Sequence, residues 1–189
     1  MKKFSFLAIF LSFTAAAFAQ NWNVDNAHSR LGFKVTRMNI SEFQGNFKTY
    51  KATITPGKSG FEGATMDVTI DVNSINTDND ARDNHLRSAD FFNTEKYPTI
   101  TFTSAPFKKT GEKTYMAEGD MTFNGVTKKI TLDIKVNGTT VNEKSKKEIA
   151  GLTITSNFKR SDFNFGSGMP ESALSDIITL YATGEFIKG

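Results

Sequence analysis

Apolar and polar residues alternate with a period of two along most of this chain. The clearest example is 63–75, where Met66, Val68 and Ile70 alternate with polar residues. Such alternation is typical of a strand that buries one face in an antiparallel sheet. The pattern recurs often enough to predict about eight long strands. They are expected at 22–24 with 31–36, 43–55, 63–75, around 100–102, 115–123, 130–136, 149–158 and 175–187.

Turn signals separate the predicted strands. Asn124-Gly125 lies between Phe123 and Val126 and predicts a type I′ hairpin, because both central residues of that turn need positive φ. Residues 25–28 are interpreted as a turn, and 37–41 as a break between strands. The pattern therefore predicts an all-β, antiparallel fold in which hairpins connect most strands.

One segment, 74–104, departs from this alternation. Polar and charged residues dominate 76–87, and the apolar pair Phe91-Phe92 follows. Long polar interruptions inside a compact β domain are either functional or disordered, and aromatic anchors argue for order. We therefore predict a short helical, polar segment near 78–92 that packs against one end of the fold.

Eight strands with one apolar face each can form either a sandwich or a closed barrel. A barrel of about eight strands has an interior that side chains just fill or that holds one small ligand. The chain contains 18 phenylalanines, many of them on the apolar parity of strands. That load favours a barrel with an aromatic and aliphatic lumen, although the same residues could simply fill a core.

The first 19 residues have the features of a secretory signal peptide. Lys2-Lys3 is followed by an apolar run at 4–13 and by the A-x-A site Ala17-Phe18-Ala19. We expect cleavage after Ala19, which leaves 20–189 as a single domain in the periplasm or outside the cell. Without the two leader lysines, 21 of the 23 basic residues remain against 20 acidic ones. That balance argues against nucleic-acid binding.

Residues for catalysis or metal binding are sparse. The chain has two histidines and no cysteine, and it lacks a G-x-S-x-G nucleophile motif. His28, His85 and Asp83 together could supply three metal ligands, but their spacing matches no known metal motif. We therefore expect neither an enzyme nor a resident metal or cofactor. A hydrolase that depends on these three residues is the weakest alternative.

An ordered set of short motifs along nearly the whole expected mature chain resembles the YceI-like family. The matching pieces are Trp22-x-Val24-Asp25, His28-Ser29, Phe43-x-Gly45-x-Phe47, Arg82-Asp83, His85-Leu86, 88–92, Lys96-Tyr97-Pro98, 119–128, 158–163 and Ser175-Asp176-Ile177. The resemblance implies a lipocalin-like barrel, exported by bacteria, that binds a polyisoprenoid or a similar amphiphile. A quinone-like tail or a fatty-acid derivative would fit the same description. Transport or storage of that lipid is the implied role.

Strand parity, together with this resemblance, predicts the site. The expected lumen residues are Phe33, Phe47, Val68, Ile70, Phe91, Phe92, Phe102, Phe123, Leu132, Ile134 and Leu180. The expected polar residues at the mouth and in nearby loops are His28, Arg37, Arg82, Asp83 and His85. Many family members carry a histidine where this chain reads Val35-Thr36-Arg37-Met38, so Arg37 is the candidate for a different polar contact.

The expected partners follow from the same interpretation. The ligand would be a long-chain isoprenoid or other lipid, with a membrane protein as a possible donor or acceptor. The protein could be a monomer or a homodimer. The main alternative is a structural or stress-related exported barrel whose own phenylalanines fill its core.

Overall fold

The computed structural model describes residues 20–189, so the predicted signal peptide at 1–19 lies outside the described residues. The fold is mostly strand, as predicted. The strands are β1 (Trp22–Arg37), β2 (Ser41–Phe47), β3 (Tyr50–Gly57), β4 (Gly60–Asp71), β5 (Ile75–Asn76), β6 (Thr99–Ser104), β7 (Lys108–Lys109), β8 (Thr114–Phe123), β9 (Val126–Val141), β10 (Glu148–Lys159) and β11 (Leu174–Lys188). The helix α1 spans Asp80–Arg87, and two short 3-10 helices span Val72–Ser74 and Arg160–Phe163.

The strands form one sheet that closes on itself. Hydrogen-bonded neighbours run in the order β11, β10, β9, β8, β6, β4, β3 and β1, and β1 also pairs with β11. This seam is antiparallel and extends from Trp22 opposite Lys188 to Arg37 opposite Leu174. β2 and β3 both pair with β1, one after the other along its length, so together they occupy a single strand position in the barrel. With that position counted once, residues 20–189 form a closed eight-stranded barrel.

Along each strand, successive side chains point alternately into the lumen and out to solvent. In β9, Ile130, Leu132 and Ile134 are buried, whereas Asp133 and Lys135, on either side of Ile134, are exposed. A barrel requires this period of two, because successive side chains of a strand point to opposite faces. The predicted all-β barrel is therefore confirmed.

Three local predictions were wrong. Residues 25–28 do not separate two strands but lie within β1, where a bulge at 26–29 shifts the pairing with β11 between Asp25 and Arg30. The predicted strand 43–55 is interrupted at 48–49, between β2 and β3. The predicted strand 63–75 begins at Gly60 and ends at Asp71, where a 3-10 helix takes over.

The hairpin and helix predictions were correct. Asn124 and Gly125 have φ values of 50° and 73°, as a type I′ turn needs. Within the predicted segment 78–92, α1 begins after Asn79, whose side chain accepts a hydrogen bond from the backbone N–H of Arg82. This N-cap satisfies a donor that the first helical turn would otherwise leave free.

One end of the barrel is closed by aromatic packing. The Trp22 and Phe61 rings lie 5.6 Å apart, and the Phe61 and Tyr115 rings lie 6.4 Å apart. Beside them, Ile54 and Ala64 are completely buried. This end therefore has a packed floor.

At the other end, a buried arginine organises the connection between β10 and β11. The Arg160 guanidinium donates hydrogen bonds to five backbone carbonyls of the chain that follows it. The acceptors are Phe165, Gly166, Met169, Leu174 and Ser175, at 2.7–3.2 Å. Since only 5% of Arg160 is exposed, these carbonyls replace water around its charge.

We expect Arg160→Met to lower the free energy of unfolding by about 3 kcal/mol, because it leaves several buried carbonyls without donors. A urea titration, monitored by tryptophan fluorescence, measures the change in the free energy of unfolding. The control is Lys159→Met at the exposed neighbouring position, where we expect a change within about 0.5 kcal/mol. Equal effects of the two substitutions would contradict a stabilising role for the Arg160 hydrogen bonds.

Candidate ligand-binding site

Two adjoining cavities lie inside the barrel formed by residues 20–189. The outer cavity has a volume of about 590 Å³, and the inner cavity has a volume of about 90 Å³. Four side chains line both of them, namely Ile70, Ile100, Met121 and Leu180. The cavities therefore form two compartments of one lumen, separated by movable apolar side chains.

The inner cavity is almost purely apolar. Its wall includes Met66, Met121 and Leu152, and methionine side chains adapt readily to the shape of a neighbour. Tyr50 also lines this cavity, and its hydroxyl has no hydrogen-bond partner among the described residues. Burial raises the pKa of Tyr50 above its ordinary value, so the hydroxyl remains a neutral donor.

Most of the predicted lumen residues lie at these cavities. Val68, Phe102 and Leu132 line the inner cavity, and Ile70 and Leu180 line both. The predicted residues that line the outer cavity alone are Phe33, Phe47, Phe91, Phe92 and Phe123. Ile134 needs correction, because it is buried in the core but lines neither cavity.

Other lining residues were not predicted individually. They include Ile100 and Met121 at the junction, Ile130 and Leu152 in the inner wall, and Ile178 in the outer wall. Each lies on the inward parity of its strand, so the alternation that identified their neighbours could also have identified them.

Phenylalanines from distant segments form a cluster beside the outer cavity. The centroid of the Phe92 ring lies 4.6 Å from that of Phe165, 5.6 Å from that of Phe123 and 6.0 Å from that of Phe47. Phe91 also contacts Phe165, at 5.7 Å. Rings at these separations have favourable offset or edge-to-face geometry. The cluster therefore joins the segment after α1 to three other parts of the barrel end.

The outer cavity opens between the β1–β2 turn, α1 and the β10–β11 connection. We call this opening the mouth and define it by Arg37, Ser41, Arg82, His85 and Met169, which line the cavity. Arg37, Ser41, His85 and Met169 are exposed, and Arg82 is half-buried. The mouth thus combines an apolar thioether with two guanidinium groups.

Contacts on both sides hold Arg82 in place. Its guanidinium lies over the Phe43 ring, 3.9 Å from the centroid, which is a favourable cation–π geometry. It also donates to the hydroxyl and the carbonyl of Thr77, at 2.8 and 2.6 Å. Arg82 is therefore an ordered positive group at the rim.

Asp83 does not face the mouth, contrary to prediction. It is buried, and its carboxylate accepts hydrogen bonds from the backbone N–H and the hydroxyl of Thr77. Asp83 therefore fastens α1 to the chain before it. His85 does lie at the mouth, where its ring is edge-on to Phe91 and 3.6 Å from the Asp90 carboxylate.

His28 is also absent from both cavity linings, so its predicted place at the mouth was wrong. It lies in the β1 bulge, with Nδ1 2.8 Å from Asp25 Oδ2. Hydrogen bonds from His28 and from the Ala27 N–H lower the pKa of Asp25, and the same Asp25 contact raises the pKa of His28. Within residues 20–189, one potential ligand atom each from Asp25, His28 and Glu185 lies within 4.8 Å of the other two, which is close enough to share a metal ion.

The geometry offers little for nucleophilic catalysis. In residues 20–189, the side chains of His28 and His85 contact carboxylates, and neither ring is hydrogen-bonded to a serine or threonine hydroxyl. A hydroxyl nucleophile needs such a base within hydrogen-bond reach. Among the same residues, no helix has the length and hydropathy needed to cross a bilayer.

The chain is therefore a closed antiparallel barrel with a packed floor, an apolar lumen and one polar mouth, the class of barrels whose interior can hold one small ligand. The family model described as "YceI-like domain" matches residues 22–186. The chain therefore belongs to the YceI-like family.

Individual relatives agree with this assignment. Protein YceI of Escherichia coli O6:H1 is 37% identical over 172 residues, which are 89% of each chain. A crystal structure of a Campylobacter jejuni YCEI protein has a TM-score of 0.75 and 33% identity, covering 100% of this chain and 99% of its own. A domain from Saccharophagus degradans, described as polyisoprenoid-binding, matches with a TM-score of 0.63 at 16% identity, covering 90% and 99%. At that identity it supports the fold alone.

We expect Asp83→Ala to loosen α1 and to lower the free energy of unfolding by about 2–4 kcal/mol, because it leaves two buried Thr77 donors unpaired. Urea denaturation gives the global change, and amide hydrogen exchange of residues 80–87 gives the local one. Asp80→Ala, in the exposed first turn of the same helix, is the control. Unchanged exchange in Asp83→Ala would contradict the fastening role.

Proposed function

We propose that the protein encloses the apolar chain of a polyisoprenoid or similar long-chain amphiphile in the barrel lumen and leaves the polar end of the ligand at the mouth. The observation that carries this proposal is the outer cavity of about 590 Å³, which continues into a smaller apolar compartment. Sites for small molecules have volumes of about 300–1,000 Å³ and mostly apolar walls.

The energetics suit such a ligand. Each CH₂ removed from water contributes about 0.8 kcal/mol, so a few isoprene units give tight binding with few polar contacts. The half-buried Phe33 and the buried Phe47, which line the outer cavity, offer aromatic faces to a hydrocarbon chain. The Tyr50 hydroxyl is an additional donor for a ligand that carries an oxygen along its chain.

The main alternative is a barrel that its own side chains fill. The phenylalanines do pack closely around Phe92, but they leave the outer cavity beside them. Protein interiors seldom contain voids larger than a water molecule, because each lost contact costs energy. An apolar pocket of this size, which the protein's own side chains leave open at the mouth, therefore favours a ligand over a self-filled core.

The shared fold can serve such a role, since the Saccharophagus degradans domain is itself described as polyisoprenoid-binding. We also propose that the protein acts without catalysis as an exported carrier or store. That part rests on the predicted signal peptide and on the polar ring contacts of the two histidines within residues 20–189, which are to carboxylates and not to a serine or threonine hydroxyl.

Native mass spectrometry of protein purified without detergent tests the proposal directly. We expect a stoichiometric apolar adduct whose mass, after organic extraction, fits a series of isoprene or methylene units. A protein that is purified empty and takes up neither octaprenyl-type lipid nor long-chain fatty acid would overturn the proposal.

We expect Leu180→Trp to lower lipid occupancy at least tenfold, because Leu180 lines both cavities and an indole there would obstruct the lumen. Since the added atoms would enter existing space, the midpoint of thermal unfolding should change little. Fluorescent-lipid displacement measures occupancy, and circular dichroism measures unfolding.

Ile177→Trp is the matched control, because Ile177 is on the same strand but 46% exposed on the outer face. It should bind lipid as the unsubstituted protein does. Equal binding by all three proteins would contradict a ligand in the lumen.

Arg37 at the mouth should discriminate between headgroups. We expect Arg37→Ala to weaken binding of an anionic amphiphile about five- to tenfold, which corresponds to the loss of a partly solvated charge-assisted hydrogen bond, and to leave its neutral analogue unaffected. Competition with a fatty acid and its methyl ester measures the difference. Unchanged affinity for both ligands would rule out a headgroup contact at Arg37.

A further inference from the structure

The bulge in β1 brings together three side chains that the lumen does not use. Asp25 pairs with Glu185 across the seam and Arg30 pairs with Thr183, so residues 26–29 lie opposite Gly184 alone. The Ser29 hydroxyl accepts a hydrogen bond from the backbone N–H of Glu185 at 3.1 Å. A Cβ on Gly184 would lie only 2.0 Å from Ser29 Oγ, so glycine is required for this close approach.

The bulge turns the His28 ring back towards the seam. His28 Nδ1 lies 2.8 Å from Asp25 Oδ2 and 3.9 Å from Glu185 Oε2. One ligand atom from each residue lies within 4.8 Å of the others. An imidazole and two carboxylates thus converge on one point of the outer wall.

The strand register supplies a separate reason to expect a cation there. Asp25 and Glu185 occupy directly opposite positions of an antiparallel pair, where two like charges destabilise the sheet. Asp25 is half-buried, with 22% of its side chain exposed, so solvent screens its charge only in part. A divalent cation between the carboxylates would turn this repulsion into attraction.

We propose that Asp25, His28 and Glu185 form a binding site for a divalent transition-metal ion of the zinc type on the outside of the barrel. The proposal does not depend on lipid binding. Zinc binds both histidine nitrogen and carboxylate oxygen, and sites with three protein ligands leave the fourth position to water. The imidazole favours zinc-type ions over Mg²⁺ and Ca²⁺, which prefer oxygen ligands throughout.

The distances suit such an ion after small side-chain movements. Ligand atoms about 2.0–2.1 Å from zinc are about 3.3 Å apart in a tetrahedron. The two observed separations from His28 Nδ1, 2.8 and 3.9 Å, bracket that value. Because the His28 and Glu185 side chains are 64% and 43% exposed, both can rotate by the required amount.

The site would link the first strand to the last one. Asp25 and His28 belong to β1 and Glu185 belongs to β11, so a bound ion would fasten the seam that closes the barrel. A ligand that binds only the folded state stabilises it in proportion to the logarithm of its concentration above the Kd. Metal binding should therefore raise the thermal unfolding midpoint.

The test is titration of the untagged, metal-free protein with Zn²⁺ by calorimetry, with the visible spectrum of Co²⁺ as a second probe of coordination. We expect one ion per chain, a higher unfolding midpoint and a shift of the His28 ring signals by NMR. His28→Gln and Glu185→Gln should each weaken binding about tenfold or more.

His85→Gln is the matched control, because His85 also lies beside a carboxylate, 3.6 Å from Asp90, but outside the three-residue cluster. It should bind zinc as the unsubstituted protein does. Absence of stoichiometric binding, or equal weakening by the His85 and His28 substitutions, would overturn the proposal. If a variant fails to fold, the His28 NMR shift in the unsubstituted protein still decides the matter, since an unmoved signal at saturating Zn²⁺ would also overturn it.

Discussion

The pairing of β1 with β11 is the constraint on which the rest of the structure depends. An open sheet of this length would leave two free edges and would collapse onto its own apolar face. Closure removes both edges and fixes the diameter, because strand number and tilt together set the width of a barrel. The lumen is therefore a geometric consequence of the seam, and its residual volume depends on which side chains line it.

The two ends of the lumen differ because different interactions hold them. The floor is apolar packing around Trp22 and Phe61, and such packing excludes a ligand as well as water. The mouth end is held both by hydrogen bonds, from Arg160 to the β10–β11 connection and from Thr77 to Asp83 of α1, and by the phenylalanine cluster around Phe92. These contacts surround the outer cavity without filling it, so the lumen is accessible at the mouth and closed at the floor.

The sequence predicted those features that depend on local patterns. Alternation located most strands, and Asn124-Gly125 located a hairpin, because both signals lie within a few residues. The bulge at 26–29 could not be predicted, since it exists only against Gly184 at the far end of the chain. Asp83 was misplaced for a similar reason, because its direction depends on the Thr77 backbone. Ile134 has the correct parity, but parity does not specify depth along a barrel.

The unfilled apolar lumen carries a cost in stability that a bound hydrocarbon chain would reduce. Unfilled volume removes contacts that a packed core would have, so the empty barrel carries a free-energy cost that β-sheet closure must offset. The cost is tolerable because the wall is continuous hydrogen-bonded sheet and does not depend on packing across the lumen. Met66 and Met121 lower this free-energy cost further, since their flexible thioether side chains can occupy part of the space when no ligand is present. A hydrocarbon chain would displace them and restore the missing contacts. The same side chains that make the empty barrel tolerable would therefore make the lumen adaptable to chains of different length.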